Sequence, residues 1–314
     1  MLNVIVSTIE GWGPEAIERF RAFGVNAAFA EDGWQESFCR PEDIDIIIGR
    51  QLVEKWPQEI YTNLKYIQVM SAGLDSVPVD ELLARGVLVS NGRGLYSSYI
   101  SEWILAQVLD SCRNLDYFKE VQREHKWMRH AMDNSNIALE GRTVSIVGPG
   151  SIGRAAAKRF KGFDMHVIAV NRSVITDCPY IDETVSLENR TEAFERSDVV
   201  VVTIPLTPET RGIIDAKSLD SMRDDAIFVN IARGGVVDEP ALIERLEKGK
   251  FRRAALDVFA REPLPADSPI WDFPNVTVSP HDSSHAVGLD ERRLQFACDN
   301  LSRYLKGEKL VNQR

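Results

Sequence analysis

The sequence has few cysteines and lacks any long apolar run. Its four cysteines, Cys39, Cys112, Cys178 and Cys298, are scattered, with no C-x-x-C spacing and no neighbouring histidine. This pattern argues against a disulfide framework and predicts buried apolar residues in a reducing, cytoplasmic compartment. No stretch of about 18 consecutive apolar residues occurs, so no membrane span is expected. The first residues, MLNVIVSTIEGWG, lack a basic region and a small-residue cleavage site and predict a strand rather than a signal peptide.

Basic residues are outnumbered by acidic ones, with 37 Lys and Arg against 47 Asp and Glu. The net charge of −10 over 314 residues argues against a general nucleic-acid binder and against docking on anionic lipid. An anionic substrate would therefore need a local concentration of positive charge. No HExxH, P-loop or GxSxG motif and no cluster of His and Cys is found, so metal-dependent hydrolysis and acyl transfer have no support and no metal is expected. No internal repeat or low-complexity tract is found.

Apolar runs bounded by turn residues alternate with helical patterns, which predicts βα units and parallel sheets. The expected fold class is α/β, with two doubly wound parallel-sheet domains. Strands are predicted at 2–8, 25–30, 43–49, 66–71, 86–91, 143–147, 166–170, 198–204, 226–231, 253–259 and 276–279. Helices are predicted near 14–23, 151–162, 187–196, 216–222 and 239–248, and over most of the last 30 residues.

The domain boundaries follow from a change in the pattern of apolar residues. From 96 to about 127 no strand pattern occurs, and the residues predict one long helix. We expect residues 1–93 with 285–314 to form one domain, and 94–284 to form the other. The terminal helix would pack back on the first domain, and the two domains would leave a cleft between them, a preferred place for a ligand.

The motif Gly148-Pro149-Gly150-Ser151-Ile152-Gly153 follows a predicted strand and opens a helix. Gly148 would allow the tight turn, Gly150 would let the backbone approach a pyrophosphate, and Gly153 would let the helix pack on the strand. The helix N-terminus, with Ser151 and Ile152, would then bind the pyrophosphate. A glycine-rich turn without a ligand is the alternative.

Three polar residues follow successive strands. Arg233, Glu262 and His281 come after the strands near 226–231, 253–259 and 276–279. Ligands of open α/β sheets lie beyond the carboxyl ends of the strands, so these residues are candidates for one site. An arginine suits a carboxylate, and a glutamate beside a histidine stabilises the protonated imidazole and fixes its tautomer. Taken singly, a solvated arginine and a capping histidine are the alternatives.

With these residues in view, the chain resembles the D-isomer-specific 2-hydroxyacid dehydrogenases over nearly its whole length. The resemblance rests on GPGSIG, TIPLTPET (203–210), NIARGGVVDE (230–239), ALDVFAREPLP (255–265) and SPH (279–281), in that order. It implies that Arg233 binds the substrate carboxylate and that His281, supported by Glu262, passes a proton to the substrate carbonyl.

The resemblance also implies that 94–284 is a Rossmann, dinucleotide-binding coenzyme domain and that 1–93 with 285–314 is a smaller, flavodoxin-like substrate domain. It implies further site residues as well. Ser71, Ala72 and Gly73 would offer backbone N–H groups to the carboxylate, and Asp257 would hold the nicotinamide amide. Thr203, Pro205, Thr210 and Ile231 would line the cofactor. The 96–127 segment would be the dimerisation arm of a homodimer.

NGRGLYSSYISEW (91–103) is more similar to the glyoxylate/hydroxypyruvate and 2-keto acid reductase branches than to phosphoglycerate dehydrogenase. No C-terminal regulatory domain is expected. One departure from the family is HDSSH (281–285), which stands where a small, glycine- or alanine-containing run is usual.

The second strand of the nucleotide-binding pattern ends in Asn171-Arg172-Ser173, where an NAD-selective fold carries an acid. An acid would repel the 2′-phosphate of NADP, whereas Arg172 can pair with it and Asn171 and Ser173 can add donors. The sequence therefore predicts preference for NADP(H), with NAD(H) possible. In the alternative, Arg172 only stacks on adenine and both cofactors are used. Asp177 would weaken the preference if its loop folded inward.

Two functions fit these residues. The first is a reductase of small 2-keto acids that uses NAD(P)H. The second is a non-enzymatic, dinucleotide-sensing binding protein on the same fold, like the corepressors of this superfamily, because fold alone does not decide function. Such a corepressor would be expected to carry added disordered tails. No such tail is expected from this sequence, which favours the enzyme.

Overall fold

The computed structural model describes residues 1–30, 38–50, 52 and 58–314. The chain forms two compact units, Met1–Tyr96 with Ala286–Arg314, and Ser97–His285. Each is built on a parallel sheet with helices, which confirms the predicted α/β fold class. No helix among the described residues is both long and apolar enough to cross a membrane.

The first unit contains a five-stranded parallel sheet in the order β2-β1-β3-β4-β5. This order is the flavodoxin-like one. Its strands are β1 (Asn3–Ser7), β2 (Asn26–Ala30), β3 (Ile46–Ile48), β4 (Tyr66–Gln68) and β5 (Leu88–Ser90). Its helices are α1 (Pro14–Arg21), α2 (Val79–Ala84) and the terminal α9 (Leu289–Leu305). Every residue of β3 is fully buried, because side chains pack on both faces of the sheet.

Helix α9 packs on the other elements of the first unit. Leu294 and Leu301 belong to the same core cluster as Phe20 of α1. An ion pair joins Arg293 of α9 to the buried Glu10, and the Arg293 guanidinium lies 5.6 Å from the centre of the Trp12 ring. Burial raises the pKa of Glu10, and the charge of Arg293 opposes that shift.

The second unit contains a seven-stranded parallel sheet in the order β12-β11-β10-β9-β6-β7-β8. Its strands are β6 (Thr143–Val147), β7 (His166–Asn171), β8 (Glu183–Ser186), β9 (Val199–Val202), β10 (Ile227–Asn230), β11 (Arg253–Leu256) and β12 (Val276–Val278). The order reverses between β6 and β9, so this is a Rossmann-type sheet with its topological switch point beside the glycine motif. Its helices are α3 (Ser97–Arg113), α4 (Leu115–Arg123), α5 (Ser151–Lys161), α6 (Arg190–Glu195), α7 (Ala216–Ser221) and α8 (Glu239–Glu247).

The prediction of one long helix from 96 to about 127 is wrong. Helix α3 ends at Arg113, and α4 begins after Asn114, whose φ of 49° places it in the left-handed region. Asparagine tolerates that conformation better than most residues, so it can interrupt a helix while the apolar spacing continues. Helix α3 packs on α5 within the same unit, whereas α4 buries none of its residues.

The cysteine prediction is only half right. Cys112 and Cys298 are buried, and burial raises the pKa of both thiols. Cys39 and Cys178 are only partly buried.

Candidate active site

The glycine motif forms the turn between β6 and α5. Gly148 has a φ of 70°, and a Cβ atom placed on it would lie 2.6 Å from Cα of Ile204, so only glycine fits there. At Gly153 a Cβ would lie 3.0 Å from Ile146 and 2.9 Å from Thr203, which explains the close packing of helix on strand. A Cβ at Gly150 would meet nothing closer than 4.0 Å, so the backbone is open on that side.

An open cleft of about 310 Å³ lies over this turn. It is lined by Gly148, Pro149, Gly150, Asn171, Arg172, Ile204, Pro205, Thr207 and Thr210. These residues come from the glycine turn, the end of β7 and the loop after β9. The backbone is open at Gly150, and the first N–H groups of α5 have no partner inside the helix. The residues present therefore fit the pyrophosphate of a dinucleotide.

Six of the nine residues that line the cleft are among those that the sequence predicts to bind the cofactor. Pro149, Ile204 and Thr207 line the cleft but were not predicted, although they lie inside the recognised motifs. The lining does not include the predicted cofactor residues Ser151, Ile152, Gly153, Ser173, Thr203, Ile231 and Asp257.

Two threonine hydroxyls support the cleft by holding its backbone. The Thr203 hydroxyl donates toward the carbonyl oxygens of Val147 and Gly148, at 3.0 and 2.9 Å, and so ties the loop after β9 to the glycine turn. The buried Thr210 hydroxyl donates to the Pro205 carbonyl oxygen at 2.6 Å.

The end of β7 presents no acid to the cleft. Arg172 is exposed, and one of its guanidinium nitrogens lies 4.0 Å from a carboxylate oxygen of Glu209. The Asn171 side-chain amide donates to the Ser173 carbonyl oxygen at 3.0 Å. Asp177 pairs with Arg154 of α5 at 2.7 Å, and this bond holds the pKa of the Asp177 carboxyl below its usual value.

Arg233 lies just past the carboxyl end of β10 and is partly buried. Its guanidinium donates to the Ala232 carbonyl oxygen at 2.7 Å. The next residue, Gly234, packs so closely on the loop after β11 that a Cβ would lie 1.8 Å from the carbonyl carbon of Phe259. The loops after these two neighbouring strands are therefore locked together.

Glu262 and His281 follow β11 and β12, which pair in parallel. Nδ1 of His281 lies 2.8 Å from Oε2 of Glu262, and the other carboxylate oxygen of Glu262 accepts from the Phe259 N–H at 3.0 Å. With Nδ1 bonded to the carboxylate, Nε2 is the nitrogen left to exchange a proton with a ligand. The His281 side chain is 48% exposed, so a small molecule can reach it.

Asp257 is fully buried at the end of β11, and the loop that carries His281 surrounds its carboxylate. The carboxylate accepts from the Ser279 hydroxyl at 2.5 Å, from the Asp282 N–H at 2.8 Å and from the N–H and hydroxyl of Ser283. The backbone of Asp257 also accepts from the His281 N–H at 2.9 Å. This geometry makes Asp257 an anchor of the His281 loop and explains the serine of HDSSH at 283.

In the first unit, Ser71, Ala72 and Gly73 form a partly buried loop after β4. The carbonyl oxygens of these residues all accept hydrogen bonds. Their N–H groups donate to no acceptor within the described ranges.

Comparison with known proteins gives the same assignment as the motifs. Residues 105–283 match the family model of the D-isomer specific 2-hydroxyacid dehydrogenase, NAD binding domain. A glyoxylate reductase of Thermofilum pendens is 33% identical over 80% of this chain and 76% of its own length. A D-3-phosphoglycerate dehydrogenase of Methanocaldococcus jannaschii is 31% identical over 88% of this chain, which spans 53% of that protein.

A solved structure supports the same family. A D-isomer specific 2-hydroxyacid dehydrogenase from Xanthobacter autotrophicus, in complex with NADPH and MES, is 30% identical with a TM-score of 0.80, over 100% of this chain and 97% of that one. With the family model covering more than half of the chain, the chain belongs to the D-isomer specific 2-hydroxyacid dehydrogenases, oxidoreductases that interconvert 2-hydroxy acids and 2-keto acids with a nicotinamide cofactor.

Proposed function

We propose that this enzyme reduces small 2-keto acids to D-2-hydroxy acids with NADPH as the preferred cofactor. The observation that carries the proposal is the pair of His281 and Glu262, 2.8 Å apart, on the loops after β12 and β11, beside the β10 loop that carries Arg233. An imidazole held by a carboxylate suits a proton donor, and an arginine on the loop after β10, the neighbour of β11, suits a substrate carboxylate.

Each residue has one task in this reaction. Arg233 binds the substrate carboxylate through its planar guanidinium and so orients the keto group. The bound nicotinamide supplies the hydride. Nε2 of His281 donates a proton to the carbonyl oxygen as that oxygen gains negative charge, and Glu262 stabilises the imidazolium and holds its ring.

A role in substrate binding is also proposed for the first unit. We assign to it the substrate domain and to the second unit the dinucleotide-binding domain. The N–H groups of Ser71, Ala72 and Gly73 are proposed as further donors to the substrate carboxylate, as the family resemblance implies.

Cofactor preference is assigned from the end of β7. Arg172 lines the cleft, no acid occupies 171–173, and Asp177 is paired with Arg154. Arg172 is therefore proposed to bind the 2′-phosphate of NADPH, with Asn171 and Ser173 as neighbouring donors. The Xanthobacter autotrophicus relative was solved with NADPH, which supports this assignment.

A homodimer is proposed through α4 and the residues after it. Leu115 and Phe118 of α4 are 43% and 41% exposed, and Trp127 is 92% exposed. Exposed large apolar side chains close together in the sequence favour an interface between subunits. Helix α3, by contrast, is used within its own unit against α5.

The function is tested by assaying a panel of keto acids, first with NADPH and then with NADH. Turnover is measured as the loss of absorbance of the reduced cofactor. Glyoxylate, hydroxypyruvate, pyruvate, phenylpyruvate and branched 2-keto acids cover the range of side chains. Turnover of at least one is expected. A folded protein that binds NADPH and turns over none would favour the dinucleotide-sensing binding protein instead.

A further inference from the structure

One segment, Asn91–Tyr96, donates hydrogen bonds to three consecutive carbonyl groups at the Ser71–Gly73 loop. These are the carbonyl groups of Met70, Ser71 and Ala72. The Tyr96 hydroxyl donates to the Met70 carbonyl oxygen at 2.6 Å. The Gly92 N–H donates to the Ser71 carbonyl oxygen at 2.9 Å, and the Asn91 side-chain amide donates to the Ala72 carbonyl oxygen at 2.7 Å. This arrangement fixes three successive peptide planes.

The N–H groups on those planes are directed by the same bonds. In a trans peptide the N–H points opposite to the C=O of the same plane. Holding the carbonyl groups of Met70, Ser71 and Ala72 toward the 91–96 segment therefore turns the N–H groups of Ser71, Ala72 and Gly73 to the other side. There they meet no acceptor among the residues that the structure describes. A row of N–H groups of this kind suits an anion.

The 91–96 segment is itself held by burial, close packing and hydrogen bonds. Asn91 is 1% exposed, and a Cβ on Gly92 would lie 2.1 Å from the Met70 carbonyl oxygen, so only glycine allows this approach. The Asn312 side chain donates to the carbonyl oxygens of Asn91 and Arg93 at 3.0 and 2.8 Å.

Tyr96 is held from its other side. Burial raises the pKa of its hydroxyl, and the neighbouring Arg293 guanidinium opposes that shift by charge and by a hydrogen bond. Arg293 also pairs with the buried Glu10. Because a guanidinium has only N–H donors, the hydroxyl proton of Tyr96 is left for the Met70 carbonyl oxygen.

We infer that Asn91 and Tyr96 are positioning residues that aim the N–H groups of Ser71, Ala72 and Gly73 at the substrate carboxylate. The inference rests on the proposed function, because it requires a carboxylate substrate. Neither side chain touches the substrate in this account; both act through the backbone of the loop.

Tyr96→Phe and Asn91→Asp test the inference. Tyr96→Phe removes only the hydroxyl. Asn91→Asp keeps the shape and places a carboxylate oxygen against the Ala72 carbonyl oxygen. The matched control is Tyr61→Phe, which removes another tyrosine hydroxyl bonded to a backbone carbonyl in the same unit, that of Leu52 at 3.1 Å.

The expected result is a rise in KM for the best keto acid with kcat and the Kd for NADPH nearly unchanged, because binding is weakened equally before and during the reaction. One neutral hydrogen bond predicts a rise of roughly 2- to 10-fold for Tyr96→Phe, and Asn91→Asp should exceed it. Tyr61→Phe should keep the wild-type KM. A merely structural role would lower the active fraction, and hence apparent kcat, without changing KM.

The outcomes separate the two claims. Wild-type turnover with unchanged KM in both variants overturns this inference alone. No turnover of any 2-keto acid by folded wild type overturns the proposed function and this inference with it. If Asn91→Asp does not fold, Tyr96→Phe decides.

Discussion

His281 and Glu262 form a hydrogen-bonded pair, with Nδ1 2.8 Å from Oε2, and the Phe259 N–H holds the second oxygen of the same carboxylate. The glutamate is thereby fixed before it fixes the imidazole. The loop of Glu262 is held again by Glu239, whose carboxylate accepts from the Ala260 N–H at 2.8 Å. Positioned proton transfer requires this kind of support, because a small displacement of the imidazole lowers the rate.

His281→Gln should lower kcat by roughly 10²- to 10⁴-fold, the usual contribution of positioned proton transfer, and leave the Kd for NADPH nearly unchanged. The matched control is His130→Gln, since His130 forms the same kind of pair with Asp133, also at 2.8 Å. Steady-state kinetics checks this. Undiminished kcat in His281→Gln would show that another group donates the proton.

Glu262→Gln should narrow the pH range of keto-acid reduction from its alkaline side. The protonated imidazole loses the negative charge that stabilises it, so the proton donor is lost at a lower pH than in the wild type. The profile of kcat/KM against pH measures this. A profile that coincides with that of the wild type would contradict the role of Glu262.

Arg233→Lys should raise KM for the keto acid and lower kcat, because lysine keeps the charge but loses the planar pair of donors. The loss of one hydrogen bond to a charged group predicts a fall in kcat/KM of roughly 10- to 100-fold. Arg245→Lys is the control, since Arg245 of α8 also pairs through its guanidinium, with Asp220 of α7 at 2.9 Å. Equal effects of the two substitutions would remove Arg233 from the site.

The wild type should show a higher kcat/KM with NADPH than with NADH, by roughly 10- to 10³-fold if Arg172 and one neighbouring donor bind the phosphate. Combining Asn171→Asp with Arg172→Ala should move the ratio toward NADH. Glu209→Gln should move it the other way, because Glu209 lies 4.0 Å from Arg172 and competes with the phosphate for its charge. A wild-type ratio that favours NADH would show that Arg172 does not contact the ribose phosphate.

Light scattering at micromolar concentration should give twice the 35.3 kDa mass of one chain. Phe118→Glu should shift this mass toward the monomer, because it places a charge in the apolar face of α4. Phe23→Glu is the control, with a phenylalanine of similar exposure, 38% against 41%, in the first unit. A wild-type mass of one chain would contradict the dimer.

The sheets were predictable because both are buried on two faces, so that strands such as β9, with four buried valines, stand out as apolar runs. Strand β8 (Glu183–Ser186) was missed, because as an edge strand it buries only Val185. The break at Asn114 was missed because apolar spacing reports which face is buried and does not report a single left-handed residue.

Some features of the site were likewise predictable from the sequence, and others were not. Arg233, Glu262 and His281 could be placed from strand order, since neighbouring parallel strands bring their carboxyl ends together. The bonds around Asp257 could not be predicted, because they depend on how the 279–283 loop folds. For the same reason the sequence did not indicate that Asn91 and Tyr96 hold the Ser71–Gly73 loop.

The most direct test of the central claim is analysis of the product when wild type and His281→Gln reduce the best keto acid with NADPH. The account predicts one D-2-hydroxy acid formed for each NADPH consumed, at a rate that falls sharply in His281→Gln. An L-product, cofactor loss without hydroxy acid, or equal rates for the two proteins would contradict it.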